Sequence, residues 1–429
     1  MKIIADFQLH SKYSRATSKD MDIEHLSKGA KIKGLNLLGT GDFTHPLWLK
    51  ELKEKLQPIN DSGIFTYSEV FFLLTGEIST FFEHNGKIKK IHHVIHCSGF
   101  DIVEQMNDIL SKYGDLKADG RPIVNVTPEE IVEQLVDIDK NIFIYPSHAW
   151  TPFFGCFGSK SGLDSVDECY GDQIKHIHAI ETGLSSDPSM NWRVSSLDRF
   201  TLLSSSDSHS PNPWRLGREA NIFDLDAVSY NEIHDTIIEK DKNKFLYTIE
   251  TDPSYGKYHF TGHRNCQTSF HPKDAMELNN ICPRCKRKLT IGVMQRVEEL
   301  ADRPEGFVPR DAIPFKTLLP LYEIISFVTG TKQLYSKKVM EEQNKLINTF
   351  GNELKILLET SKEDLVKVTK PQIADAIVNV REGKIKYIPG YDGVYGEPVF
   401  DNSLYENFRQ KHNKMTSSTQ KNLREFKGL

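Results

Sequence analysis

The stretch that indicates the fold is ADFQLHSKYS, residues 5–14, which follows an apolar start. It carries Asp6, Gln8 and His10 at alternate positions. Alternate side chains of a β-strand share one face, so this pattern predicts that three polar groups emerge together where the first strand ends. A carboxylate, an amide and an imidazole in this register indicate a binding site.

The same arrangement recurs along the first half of the chain. Strands are predicted at KIIADF, LNLLGTGDF, VFFLLTGEIST, IHHVIHCSGF, NIFIYPSHAW, IHAIETG and FTLLSSSDSHS. They alternate with helical segments, which is typical of βαβ units and a mostly parallel sheet or barrel. The strands end in side chains that bind metals or protons, namely Asp6, Gln8, His10, Asp42, His45, Glu77, His93, His148, Glu181, Asp207 and His209.

In an α/β barrel the carboxyl ends of the strands form the active site, and burying so many ionisable groups without cations would be prohibitively costly. We therefore expect a metal centre. Two ions at one site stabilise both the attacking and the leaving oxygen of a displacement at phosphorus, which makes phosphate-ester hydrolysis the natural chemistry. Zn²⁺ is expected in the barrel, with Mg²⁺ or Mn²⁺ for activity, and Glu77 or Asp207 is the candidate bridge. The catalytic candidates are Asp207, His209, Glu77, His148 and His10.

Length and composition indicate a globular protein. The 429 residues, 38% hydrophobic and 26% charged, predict two or three domains with real cores. No apolar run is long enough for a membrane span, and Asp6 comes too soon for a signal peptide, so a cytoplasmic protein without membrane contact is expected. Net charge is −12 over residues 1–255 and +7 over residues 256–429. The basic half suits nucleic acid, unless it is only a solvated surface.

Two knuckles, H-x₂-C and C-x₂-C, lie fifteen residues apart in the basic half. Tetrahedral Zn²⁺ takes four nitrogen or sulfur ligands, so this spacing predicts a structural zinc ribbon. The ligands would be His263, Cys266, Cys282 and Cys285, with His259 or His271 as substitutes for His263. Basic neighbours of the second knuckle would face phosphates; they are Arg284, Lys286, Arg287 and Lys288.

Taken in order, the strand-end motifs resemble the PHP (polymerase and histidinol phosphatase) phosphoesterases. The matching elements are Asp6-x-Gln8-x-His10, Gly41-Asp42-Phe43-Thr44-His45, Gly76-Glu77, His93-Val94, Ser147-His148 and Ser206-Asp207-Ser208-His209. The resemblance implies an α/β fold, a distorted (β/α)₇ PHP barrel, with those side chains as metal ligands.

The sequence departs from the PHP pattern at several positions. Gln8 replaces the first histidine, which weakens or removes one metal site. Either Asp42 or His45 is a ligand, and Asp6 either binds metal or orients His10. In the fourth element His93 fits best, with His92 and His96 as competitors.

With the ribbon, LTIGVMQRVEELADR and VREGKIKYIPGYDGVYG, the chain is similar to endonuclease Q. This resemblance implies a DNA-repair nuclease that incises damaged duplex or single-stranded DNA 5′ of deaminated bases (uracil, hypoxanthine, xanthine) or abasic sites. It implies a PHP barrel over 1–250, a zinc ribbon over 251–300 and a mainly helical DNA-contacting region over 301–400. The resemblance ends at about residue 400, and we expect residues 401–429 to form a basic tail outside it. Whether a sliding clamp docks on the tail stays open.

Several side chains are candidates for contacts with DNA. Ser186, Asn191 and Trp192 could line a base pocket, although Trp192 also fits helix packing. Guanidinium groups suit phosphates, and tyrosines in a glycine-rich loop suit stacking on bases, unless that loop is only a tight hairpin. These candidates are Arg193, Arg215, Arg218, Tyr391 and Tyr395.

Two rival functions remain open from the sequence. A small-molecule phosphoesterase of the histidinol-phosphatase type explains the first half of the chain but gives the basic half no function. A non-catalytic DNA-binding zinc protein with a decayed barrel is supported only by Gln8. Metal content separates the scaffold from the nuclease, and activity on a free phosphomonoester separates the phosphatase.

Overall fold

A mixed β-sheet forms the centre of the computed structural model, which describes residues 1–331, 333, 336–400, 403, 405 and 406. Most of the tail predicted over 401–429 lies outside the described residues. The strands are β1 (Lys2–Asp6), β2 (Leu37–Gly39), β3 (Gln57–Pro58), β4 (Phe65–Tyr67), β5 (Val70–His84), β6 (Lys87–Cys97), β7 (Ile123–Val124), β8 (Phe143–Pro146), β9 (Ala179–Glu181), β10 (Thr201–Leu203), β11 (Ala220–Asp224), β12 (Phe245–Glu250), β13 (Thr261–His263), β14 (Thr268–Phe270), β15 (Phe315–Thr317), β16 (Lys386–Ile388) and β17 (Glu397–Val399).

The α-helices alternate with these strands in the first half and follow one another in the last third. They are α1 (Ile23–Lys33), α2 (Pro46–Lys55), α3 (Phe100–Leu110), α4 (Pro128–Ile138), α5 (Val166–Tyr170), α6 (Pro188–Asn191), α7 (Tyr230–Ile238), α8 (Pro272–Glu277), α9 (Val293–Leu300), α10 (Leu321–Val328), α11 (Lys337–Phe350), α12 (Glu353–Leu358), α13 (Lys362–Val368) and α14 (Pro371–Arg381). None of the described helices has the length and apolar character that a membrane crossing requires.

The central sheet is mixed, so the expectation of a mostly parallel sheet was wrong. Strand β1 pairs in parallel with β2 and antiparallel with β11, and β2 pairs in parallel with β5. The long strands β5 and β6 then form an antiparallel hairpin, and β6 pairs antiparallel with β8. The cause lies in the turn at His84–Lys87, which is too short for the helical crossover that a parallel pair needs.

The short parallel pair β9–β10 lies between β8 and β11. On one side, the backbone N–H of Ala149, just after β8, donates to the carbonyl of Glu181 at 3.0 Å. On the other side, the backbone N–H of Ser204 donates to Asn221 Oδ1, also at 3.0 Å. These bonds connect the ends of β9 and β10 to both neighbours, so β8, β9, β10 and β11 follow one another in that order.

Local sequence signals fix the helix ends close to their predicted positions. Helix α1 begins after Asp22, whose side chain accepts from the N–H of His25, and it ends at Gly34 with φ 99°. Helix α4 begins with a capping box between Thr127 and Glu130. The helices predicted over these segments are therefore confirmed.

Helices α10 to α14 form the helical C-terminal region that the sequence predicted. A buried ion pair joins this region to α1, because Lys33 Nζ lies 2.7 Å from Glu353 Oε1 and both side chains are at most 2% exposed. Strand β15 also pairs with β12 of the central sheet. The C-terminal region is therefore connected to the sheet by both a strand and a buried charge pair.

Candidate metal centre

Six side chains, which lie on five strands or in the segments directly after them, meet in what we call the strand-end cluster. His10, Asp207 and His209 form one group, and Glu77, His92 and His148 form another. Within each group the potential ligand atoms lie within 4.8 Å of one another. The two groups touch, since His10 Nε2 lies 3.0 Å from Asp207 Oδ1 and 3.3 Å from Glu77 Oε2.

Glu77 lies at the centre of the cluster and is 1% exposed. Its Oε1 accepts a hydrogen bond from Ser147 Oγ at 2.9 Å and lies 2.8 Å from His92 Nδ1 and 3.3 Å from His148 Nε2. Burial opposes ionisation, but the charge of Arg121 and hydrogen bonds from His10 and His148 lower the pKa of Glu77 well below its ordinary value. Glu77 is therefore an ionised carboxylate that faces both groups.

His10 is buried among carboxylates. Its Nδ1 lies 3.0 Å from Asp42 Oδ1, while its Nε2 faces Asp207 and Glu77. Burial lowers the pKa of His10, but the charge of Asp42 and hydrogen bonds to all three acids raise that pKa well above its ordinary value. Three carboxylates around one imidazole demand a positive charge, and this donor set fits a divalent cation.

Asp42 orients His10. Its Oδ2 accepts from the N–H and Oγ of Ser11 and from Ser14 Oγ, at 2.6, 2.7 and 2.8 Å respectively. A carboxylate that holds the far nitrogen of an imidazole fixes which nitrogen faces a metal. Asp6, the other candidate for this role, lies elsewhere: it accepts from the backbone N–H groups of Ser206 and Gly217, each at 2.9 Å. Burial raises the pKa of Asp6 to about 6.

Three residues of this site have left-handed backbone. Asp42, His148 and Asp207 have φ of 48°, 31° and 47°. Such φ values are uncommon outside glycine, and they cluster at functional sites because the surrounding structure must hold them in place. Each of the three follows a strand, so the backbone turns sharply there and directs the side chain into the cluster.

Gln8 is 2% exposed, and neither its amide oxygen nor its amide nitrogen has a hydrogen-bond partner among the described residues. An unpaired buried amide costs free energy, so it points to a ligand outside the protein. Glu181 shows a similar pattern: its Oε1 accepts from the N–H of His148 at 3.0 Å, whereas its buried Oε2 has no partner in the described part of the chain.

Besides Asp6 and Asp42, two more of the expected ligands lie outside the cluster. His93 faces away from it, because its Nε2 lies 2.9 Å from Thr80 Oγ1 and its Nδ1 lies 2.7 Å from Tyr170 Oη. His92, on the opposite face of β6, takes the place expected for His93. His45 lies directly before α2 and stacks on Tyr13 with ring centroids 4.5 Å apart.

Sequence reasoning missed Arg121, whose Nη1 lies 3.4 Å from Glu77 Oε2. No motif marks this arginine, which lies in a loop before β7. His92 was weighed only as a competitor to His93, and strand alternation was the signal that separated the two. Glu181 was visible as a strand-end acid, but it was not assigned a role.

Of the candidates for a base pocket, Ser186 and Asn191 are buried and Trp192 is half-buried. Ser186 Oγ donates to the carbonyl of Thr182 at 2.9 Å. Asn191 accepts from the indole N–H of Trp150 at 2.8 Å, and it donates to the carbonyl of Asp187 and to Ser186 Oγ. The ring of Trp192 packs edge-to-face on Phe315 with centroids 5.7 Å apart. Asn191 and Trp192 line a small cavity of about 30 Å³, but the polar atoms of Ser186 and Asn191 are already engaged within the protein.

Two of the three arginine candidates are engaged internally. Arg193 Nη2 lies 2.6 Å from Glu298 Oε2 of α9, and Arg218 donates twice to the carbonyl of Ser206. Arg215 differs from both: its backbone N–H donates to the carbonyl of Asn212 at 2.9 Å, and its guanidinium has no ion pair within the described residues.

Of the tyrosine candidates, Tyr391 forms backbone bridges with Phe260 and Val394. Tyr395 is 57% exposed, with Lys257 Nζ 4.6 Å from its ring centroid. The exposed ring makes Tyr395 the one of these two that could stack on a base.

A second group, the Cys–His cluster, comprises His263, Cys266, Cys282 and Cys285, whose ligand atoms lie within 4.8 Å of one another. His263 ends β13 and lies with its Nδ1 3.3 Å from Cys285 Sγ. Burial opposes the thiolate of Cys282, yet backbone N–H groups of Cys285 and Arg284 help lower its pKa to about 6. Three thiols and one imidazole in this arrangement fit a tetrahedral ion.

Comparison with known proteins gives a matching family for part of the chain and two relatives. Residues 320–384 match the model of the MJ0043 C-terminal domain family. The uncharacterized protein MJ0043 of Methanocaldococcus jannaschii is 35% identical over 264 residues, which are 61% of this chain and 32% of that protein. The chain thus spans about a third of that relative. The uncharacterized protein YqxK of Bacillus subtilis is 29% identical over 416 residues, 92% of this chain and 99% of that protein.

Two solved structures match nearly the whole chain. The lesion-specific endonuclease Q of Pyrococcus furiosus is 36% identical with a TM-score of 0.84, over 93% of this chain and 95% of that one. An endonuclease Q bound to a 27-mer duplex with an abasic lesion at its active site is 35% identical with a TM-score of 0.83, over 94% of this chain and 98% of that one. The fold and the strand-end cluster thus define an α/β protein of the nuclease class. The chain belongs to the endonuclease Q family.

Proposed function

We propose that this protein is a DNA-repair endonuclease that hydrolyses the phosphodiester 5′ of a deaminated base or an abasic site. The observation that carries the proposal is a coincidence of two features. A cluster of imidazoles and carboxylates lies at the strand ends, and nearly the whole chain matches a family in which one member was solved with a duplex that has an abasic lesion at the active site. Neither rival from the sequence accounts for both features.

The architecture we propose is a distorted (β/α)₇ barrel over residues 1–250. The bonds from β9 to the segment after β8 and from the end of β10 to Asn221 support closure of the sheet into a barrel. A zinc ribbon over 251–300 and a mainly helical region over 301–400 would follow. Within the last of these, β15 extends the central sheet.

The strand-end cluster would hold divalent cations, and Mg²⁺ or Mn²⁺ would support activity. Bound metal ions of this kind act as Lewis acids and lower the pKa of a coordinated water. The protein supplies the ligands in suitable states. Glu77 and Asp207 have pKa values lowered by neighbouring groups against the effect of burial. Burial lowers the pKa of His92 to about 4, so this imidazole is neutral and free to ligate.

The Cys–His cluster would hold a structural zinc ion that organises the ribbon. The basic side chains beside it are exposed and would bind DNA phosphates with a marked dependence on salt; they are Arg284, Lys286, Arg287 and Lys288. The damaged nucleotide would leave the base stack, which costs least for a mispaired or missing base. Tyr395 is then a candidate for stacking on an exposed base.

The experiment that tests this proposal uses end-labelled duplexes with one deoxyuridine, one deoxyinosine, one abasic site or no lesion, incubated with Mg²⁺ or Mn²⁺. We expect a nick on the 5′ side of each lesion and no nick in the undamaged duplex. Asp207→Asn should abolish nicking, whereas the control Asp224→Asn should retain it, because Asp224 is 59% exposed and its carboxylate pairs with the N-terminus, away from the strand-end cluster. Hydrolysis of a free phosphomonoester without nicking would contradict the proposal and favour the phosphatase.

A further inference from the structure

The loop between α3 and β7 delivers one side chain to the strand-end cluster, and Gly120 fixes its path. The N–H of Gly120 donates to the carbonyl of Tyr13 at 3.2 Å, and its own carbonyl accepts from Thr44 Oγ1 at 3.1 Å. A Cβ at this position would lie 2.3 Å from Asp42 Oδ2 and 2.5 Å from Ser14 Oγ. Only glycine allows so close an approach, so the backbone at residue 120 is held against the cluster.

The next residue, Arg121, points into the cluster. Its backbone N–H donates to Asp119 Oδ1 at 3.1 Å, and its Nη1 lies 3.4 Å from Glu77 Oε2. The charges of Asp207, Asp119 and Asp42 also act on the guanidinium. The side chain is 25% exposed, so the guanidinium lies next to the cluster but can still be reached by a molecule outside the protein.

Most N–H donors of this guanidinium have no acceptor within the described residues. A guanidinium has five N–H donors, and among the described residues only Glu77 accepts from it, through a single long bond. By contrast, Arg218 donates twice to the carbonyl of Ser206, and Arg193 is paired with Glu298. Two parallel N–H groups match two oxygens of a phosphate, which makes Arg121 suited to a phosphodiester placed over the cluster.

We propose that Arg121 is a catalytic residue that binds the non-bridging oxygens of the scissile phosphate and stabilises the charge that develops on them. This inference rests on the proposed function and adds a residue to it. In the reaction a water oxygen forms a bond to phosphorus and gives up one of its two protons, one phosphorus–oxygen ester bond breaks, and the released oxygen takes up one proton in return. Arg121 forms no covalent bond and loses no proton.

The test compares Arg121→Met, Arg121→Lys and the control Arg199→Met under single-turnover conditions on a lesion duplex. Arg199 pairs with Asp167 and is 47% exposed. Loss of a preorganised donor to a transition-state oxyanion lowers kcat by about 10²- to 10³-fold, so we expect that loss for Arg121→Met and a smaller one for Arg121→Lys. The dissociation constant for the duplex and the metal content should both stay close to wild type. Millimolar guanidinium chloride should partly rescue Arg121→Met.

A rate for Arg121→Met close to that of wild type would overturn the inference. A loss of metal in step with the loss of rate would also overturn it, because Arg121 would then serve only to assemble the cluster. If Arg121→Met does not fold, as judged by circular dichroism, Arg121→Lys decides by the same criteria, since it keeps the charge and removes the fork. Failure of the wild-type protein to nick any lesion duplex would instead refute the proposed function.

Discussion

The buried ion pair between Lys33 and Glu353 joins α1 to the helical C-terminal region, and we expect the loss of one partner to lower the free energy of unfolding. The 2.7 Å separation corresponds to an attraction of about 6 kcal/mol at an effective dielectric constant of about 20, which the desolvation of both charges largely offsets. Removing one partner alone leaves an uncompensated buried charge, which lowers the free energy of unfolding by about 3–5 kcal/mol. Glu353 would keep its bonds from the N–H of Leu321 and from Gln343, so we expect Lys33→Met to cost about 3 kcal/mol.

The assay is urea unfolding followed by circular dichroism, with Lys31→Met as the matched control. Lys31 lies on the same helix, but it is 48% exposed and pairs with a Glu69 that is 88% exposed, so its removal should cost less than about 1 kcal/mol. The double variant Lys33→Met/Glu353→Gln should recover most of the lost stability, because no charge is then left unpaired. Equal unfolding free energies for the two single lysine variants would refute the reasoning.

Three further predictions concern the cluster and its surroundings. His92→Asn should lower the metal content of the purified protein, measured by mass spectrometry, by the ion held at Glu77, His92 and His148, whereas His93→Asn should leave the metal content unchanged; the reverse result would contradict the assignment of faces on β6. Gln8→His should tighten metal binding in a calorimetric titration, because an imidazole is a better ligand than a neutral amide for borderline cations, and an unchanged affinity would count against a ligand role for residue 8. Burial raises the pKa of Glu219 to about 8 from 4.5. The folded state therefore retains a proton that the unfolded state loses, and the unfolding free energy of wild type relative to Glu219→Gln should fall from pH 5 to pH 8; a flat difference would contradict this.

Much of the fold was predictable because its signals are local. Apolar runs of strand length and caps such as Asp22 depend on neighbouring residues alone, and the strands and helices predicted there were found. The hairpin of β5 and β6 was not foreseen as an antiparallel pair. The sequence showed the two apolar runs as strands. The direction in which they pair depends on the tight turn between them, which the prediction did not include.

The sequence predicted which strands carry the residues of the site, but it did not predict which face of each strand points into the site. Alternation places His92 and His93 on opposite faces, but it does not say which face looks into the site. The same limit applies to Asp42 and His45, because the sharp backbone turn at Asp42 directs only the carboxylate to His10. Arg121 could not be found from a motif, since its position depends on a contact between Gly120 and residues far away in the sequence.

The central claim is that divalent cations gather where Glu77 and Asp207 meet the imidazoles of the strand-end cluster. The most direct measurement is an anomalous difference map from crystals grown with Mn²⁺, with data collected at the manganese absorption edge. We expect peaks at His10–Asp207–His209 and at Glu77–His92–His148, separated by roughly 3.5–4 Å, as in two-metal sites. A map with no peak at the strand-end cluster would contradict the account.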